Sequence, residues 1–94
     1  MHRIVKKTFA NQVAVHLSDS FVIDKLALAM QLFDEIDEDC ATVGNATGDC
    51  NQESTVGATH CTLYLNGNKI QVSWWSAMEK HLLTWDADVA TFIQ

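Results

Sequence analysis

The side chains able to do chemistry are Cys40, Cys50 and Cys61, the imidazoles of His16, His60 and His81, and the acidic run Asp34, Glu35, Asp37, Glu38 and Asp39 within "FDEIDEDC". Cys40, Cys50, His60 and Cys61 are the ligand types of a zinc site. No pair among them has the short CxxC or paired-histidine spacing of known zinc modules. A cysteine nucleophile needs a base close by and surroundings that hold the thiolate. The three histidines are the candidates for that base, but no nucleophile elbow, glycine-rich phosphate loop or paired-histidine motif accompanies them. The acidic run lacks the alternating oxygen ligands and central glycine of an EF-hand loop. Asp86 and Asp88 stand two apart on an expected helix, where they do not face each other. The chain therefore reads as a non-enzyme, with no cofactor and no metal.

Charge narrows the partners. Twelve acids stand against six bases, a formal net charge of −6. A nucleic-acid binder needs cationic groups to displace counterions from phosphates, so direct nucleic-acid binding is not expected. Arg3, Lys6 and Lys7 lie in the first ten residues, which contain no acid, whereas the acidic run crowds into residues 34–39. Such a block is a solvated helix end or a surface offered to a basic partner.

The 94 residues suit one domain, 1–94, with a single core. No apolar run approaches the ~20 residues of a membrane span, and Asn11, Gln12 and His16 interrupt any signal-peptide core, so the expected location is cytoplasmic. An odd set of three cysteines argues for reduced thiols, the alternative being a Cys40–Cys50 bridge with one free thiol. Asn45 in "NAT" matches a glycosylation acceptor, read as accidental without a secretion signal.

The strongest local signal is "CTLYLNGNKIQVSWW", residues 61–75. Asn66-Gly67 favours a two-residue type I′ turn, which sets Leu65 opposite Asn68 and Leu63 opposite Ile70. Cys61, Leu63, Leu65, Ile70, Val72 and Trp74 then share a core face. Tyr64 and Trp75 share the other. Ser76 and Glu79 form a capping box, with Trp75 able to lie over the first turn along Lys80 as a hydrophobic staple. The competing reading joins Trp75 and Tyr64 in an aromatic patch on the open face, an anchor type common in interfaces.

Met78, Leu82, Trp85, Val89 and Phe92 recur at helical spacing, predicting a helix from Ala77 to the C-terminus. Leu26, Met30, Phe33 and Ile36, in a stripe widened by Ala29 and Leu32, predict an earlier one over about 22–36. The acids sit at its C-terminal end, where the macrodipole disfavours negative charge, and such local conflicts tend to mark functional positions. "HRIVKKTF" and "QVAVHLS" read as an N-terminal hairpin on the alternation of Val13, Val15 and Leu17, with Lys6 and Lys7 guarding an edge strand. Residues 39–60 read as a long flexible loop containing Gly44, Gly48 and Gly57.

The expected fold is α+β: a two-layer sandwich of one four-stranded antiparallel sheet (two hairpins) with two helices on one face, in the order ββαββα. The functional expectation is a small acidic binding protein that docks Asp34, Glu35, Asp37, Glu38 and Asp39 on the basic surface of a protein partner, with Tyr64 and Trp75 as anchors. Carboxylates at suitable spacing imitate a phosphate array, so it could occupy a site meant for nucleic acid. In its format, short, acidic and without catalytic motifs, the chain is similar to phage-encoded inhibitors such as anti-CRISPR and anti-restriction proteins. That similarity is one of composition and implies an inhibitor. The alternatives are an antitoxin or immunity-type partner, or a homodimer, using the open sheet or an edge strand. A small metal-bound or thiol-dependent enzyme is the third.

Overall fold

Two consecutive helices precede a sheet of four strands that are consecutive in the chain. The computed structural model describes residues 2–43 and 50–94, so Gly44, Asn45 and Gly48 lie outside the described residues. Helix α1 spans Lys6–Ser20 and α2 spans Ile23–Glu35. Strands β3 (Cys50–Val56), β4 (Thr59–Asn66), β5 (Lys69–Ser76) and β6 (His81–Asp88) form one antiparallel sheet in the order β3-β4-β5-β6. Two short strands, β1 (His2–Arg3) and β2 (Thr42–Val43), pair antiparallel, and a 3-10 turn, Val89–Thr91, follows β6. The class is α+β, as expected, but the order ββαββα is not the one observed.

Residues 6–20 are a helix because a helical stripe overrides the strand-like alternation. Phe9, Val13 and Leu17 recur every fourth residue and are fully buried, while Val15, the middle of the apparent strand pattern, points outward. Phe9 reaches Phe33 (ring centroids 4.4 Å), Phe92 (5.0 Å) and Trp85 (5.8 Å). Burying one such aromatic is worth roughly 2–3 kcal/mol. Lys6 and Lys7 open this helix and guard no sheet edge.

The second helix lies where its periodicity predicts, and Ala29, Leu32, Phe33 and Ile36 of the expected face are buried. Leu28 is buried as well, whereas Met30 is exposed. It packs over β3 and β4, and α1 covers β5 and β6 through Phe9 and His16.

The hairpin at residues 61–75 has the expected faces and a different register. Leu65 pairs with Ile70 and Asn66 with Lys69, so the turn is Gly67-Asn68. Only Gly67 has positive φ (55°), which suits a type II′ turn; a type I′ turn at Asn66-Gly67 needs Asn66 there too. The shift is by two positions, so parity and faces are kept. Gly57, at φ 59°, makes the same kind of turn between Val56 and Thr59, and residues read as loop become the edge strand β3.

The expected C-terminal helix is β6. Leu83, Trp85 and Ala87 stand opposite Trp74, Val72 and Ile70 on the core face, an alternation that coexists in sequence with the helical spacing. The capping signal is real but closes a turn: Ser76 Oγ accepts the Glu79 N–H at 3.3 Å, and Lys80, at φ 56°, turns the chain back into β6. The Lys80 N–H donates to the Ser76 carbonyl. Trp75 is still in β5, so it staples no helix.

Candidate interaction surfaces

The sheet has a covered face and an open one. Cys61, Leu63, Ile70, Val72 and Trp74 meet the helices and are buried. Cross-strand rows order the open face: Asn51, Tyr64, Gln71 and Asp86 form one row, and Thr55, His60, Trp75 and Leu82 another. Tyr64 and Trp75 are thus four strand positions apart, about 13 Å at the rise of a strand. They do not form one aromatic patch.

Each has its own surroundings. Tyr64 lines a shallow concavity of about 430 Å³ with Asn66, Lys69, Gln71 and Asp86. Trp75 is 44% exposed, and Leu82, its register partner in β6, is 60% exposed. Met78, in the turn between them, is 86% exposed. Leu82 and Met78 were assigned to a helical core stripe by their spacing. The signal that places them outside is the competing alternation of Leu83, Trp85 and Ala87.

The acidic residues occupy the far end of α2 and the turn after it, on the helix side of the sheet. The structure therefore separates them from Tyr64 and Trp75 by the thickness of the sheet. All five are exposed. The macrodipole conflict is relieved from elsewhere in the chain: α2 has no base in its last turn, but Lys6 Nζ donates to the Ile36 carbonyl at 2.5 Å. Arg3 and Glu38 form an exposed ion pair at 3.3 Å. Asp34 lines a groove of about 490 Å³ with Lys6, Lys7, Met30 and Phe33. The Glu35 carboxylate accepts a hydrogen bond from Gln31, and that of Asp37 accepts one from the Asp39 N–H. Asp34, Glu35, Asp37 and Asp39 make no ion pair among the described residues. The fold thus brings the basic N-terminus beside the acids, and partly offsets them.

The thiols and imidazoles are dispersed. Cys40 and Cys50 are joined as a disulfide, with Cα atoms 5.5 Å apart, which corrects the expectation of three reduced thiols. Cys61 is buried on the covered face, and that burial pushes its thiol up to about 12, so it is a poor nucleophile at neutral pH. His60 lies on the open face against Thr55 (3.1 Å) and Glu53 (3.9 Å). His16 stacks on Trp74 at 5.6 Å, and His81 sits 3.9 Å from Glu79. Among the described residues no group of three or more His, Cys, Asp or Glu side chains is placed to hold a metal ion, and no helix is long and apolar enough to cross a membrane.

No protein-family model, curated protein or solved structure matches this chain.

Proposed function

We propose that this chain is a non-catalytic binding protein that recognises a protein partner through the uncovered sheet face at Trp75 and Leu82. The observation that carries this reading is the pair itself. An indole and an isobutyl group stand side by side on adjacent strands, and no element of the described fold covers them. An exposed acidic helix end is in equilibrium with water at little cost, whereas exposed apolar area is not. Covering both side chains is worth roughly 2–4 kcal/mol, and a tryptophan beside an aliphatic group is a common centre of interface energy.

A second reading rests on Glu35, Asp37 and Asp39, exposed carboxylates with no cationic partner among the described residues. In it, the helix end docks on a basic surface of a protein, at a site that otherwise holds nucleic acid, in the manner of a phage or mobile-element inhibitor.

One experiment separates the two. The purified chain is immobilised and exposed to extract of its native cell at low and high salt, beside Trp75→Ala and the double variant Glu35→Lys/Asp37→Lys. The first reading expects tenfold or greater loss of the captured protein with Trp75→Ala and little salt dependence. Loss with the charge reversal, together with release by salt, transfers the assignment to the acidic surface. Capture indifferent to all three overturns both.

A further inference from the structure

We propose that β6 is a self-association edge, across which two copies pair antiparallel about a two-fold axis centred on Leu83 to make one eight-stranded sheet. The inference is independent of the partner reading, because it rests on backbone groups and not on Trp75.

The first step is the direction of the backbone. The Val89 N–H donates to the Asn68 carbonyl at 2.9 Å, in the register that pairs Lys69 with Asp88. Hydrogen-bonded and non-hydrogen-bonded pairs alternate along an antiparallel ladder. Ala87, Trp85, Leu83 and His81 therefore bond to β5, while Leu82, Thr84, Asp86 and Asp88 turn N–H and C=O away from it. β6 is last in the strand order, so these groups face outward.

Edge strands are normally blunted by lysine, proline, a bulge or shortness. The sequence His81–Asp88 contains no lysine and no proline, and its eight-pair register with β5 is unbroken. Leu83 is exposed as well as Leu82. This edge is long, regular and partly apolar.

Charge names the occupant. His81 opens the strand, Lys80 stands just before it in the left-handed turn, and Asp86 and Asp88 lie at the strand's end. Antiparallel pairing about Leu83 brings Lys80, in the turn that leads into the strand, to the end of the other copy's strand that carries Asp86, twice per dimer. It also sets Leu82 opposite Thr84 and Leu83 opposite itself. Asp88 is already held by Lys69 at 2.5 Å, which leaves Asp86 as the carboxylate to meet Lys80. Parallel pairing would instead place Asp86 beside Asp86. The other edge, β3, carries Glu53 at its centre, so self-pairing there brings like charges together. The surface complementary to β6 is β6.

The test is sedimentation velocity on the full chain at 5–200 μM. A dimer is expected, unchanged by Trp75→Ala, which separates this result from the partner reading. Thr84→Pro removes an outward N–H without touching the bonds to β5, and is expected to give a folded monomer. Lys80→Asp and Asp86→Lys are each expected to weaken the dimer roughly three- to tenfold, and the double swap to restore it. That rescue requires the two-fold antiparallel register, and it keeps the test open should Thr84→Pro fail to fold. A wild-type monomer throughout the range, or a dimer insensitive to both single charge changes, overturns the proposal.

Discussion

The ammonium of Lys25 and the carboxylate of Glu79 form an ion pair that ties the first turn of α2 to the β5–β6 turn, and the pair is lopsided: the Lys25 side chain is 4% exposed and that of Glu79 42%. Lys25 also lies 4.6 Å from the centre of the Phe21 ring. The buried charge is thus compensated by one partial charge shell, made of a carboxylate and an aromatic face.

Removing the two partners is therefore not equivalent. Glu79→Gln strands a buried ammonium, whereas Lys25→Met leaves a carboxylate that water can solvate. Glu79→Gln is expected to lower Tm more than Lys25→Met. The hydrogen bond from Lys25 holds the Glu79 carboxyl below its ordinary value. The stability it adds is complete above the ordinary carboxylate range and disappears as pH falls through the lowered folded value. Thermal melts between pH 2.5 and 7 check this: the acid-side loss should be shallower in Glu79→Gln.

Lys80 is the one non-glycine residue with positive φ among the described residues. The left-handed conformation costs an L-residue roughly 1–2 kcal/mol, and glycine gives part of that back through the entropy of its unfolded state. Lys80→Gly is expected to stabilise the protein by about 0.5–1 kcal/mol, read as a shift in the urea midpoint at constant slope. A loss of stability would mean that the lysine side chain contributes more than its backbone angle costs.

Lys6 and Lys7 are neighbours in sequence with different tasks. Lys6 caps the carbonyl end of α2, and Lys7 is exposed at the first turn of α1. Lys6→Met is expected to destabilise by about 1 kcal/mol, from the lost charged hydrogen bond and the uncompensated macrodipole. Lys7→Met should stay within about 0.5 kcal/mol of the parent. Equal effects in denaturant titrations would refute the cap.

Cys61 should be silent and the other two cysteines paired. A thiol reagent at pH 8 is expected to count no reactive thiol in the native protein, one in denaturant and three after reduction. Closing the ten-residue separation of Cys40 and Cys50 contributes about 2–3 kcal/mol by chain entropy, so reduction should lower Tm. The raised Cys61 value has its own signature: above pH 9 the unfolded thiol ionises and the folded one does not until about 12. Across that window stability falls by roughly 1.4 kcal/mol per pH unit from this group.

Much of the central hairpin was legible in the chain. Strict alternation around Gly67 assigned Cys61, Leu63, Leu65, Ile70, Val72 and Trp74 to the core face, and a register error of two left that assignment intact because side-chain direction has period two. The helix at 23–35 was legible for a similar reason, since no rival period fits it. Tyr64 and Trp75 were placed on the open face, but their separation of four positions depends on register, which alternation does not encode.

The sequence by itself determined the α+β class, the central antiparallel hairpin and the helix at 23–35, the outward placement of the acidic run, and the balance of charge. Only the tertiary structure decided which of two coexisting periods each terminal segment obeys. Residues 9–17 satisfy both a strand and a helix pattern, and residues 78–92 do the same; a local pattern cannot choose between two faces until something lies against one of them. Phe9 against Phe33 and Phe92 makes the first a helix, and Leu83, Trp85 and Ala87 against β5 make the second a strand. The same long-range contacts place Lys6 at the end of α2 and leave Leu82 beside Trp75 in solvent, because burial is a property of the assembled layers and not of any one of them.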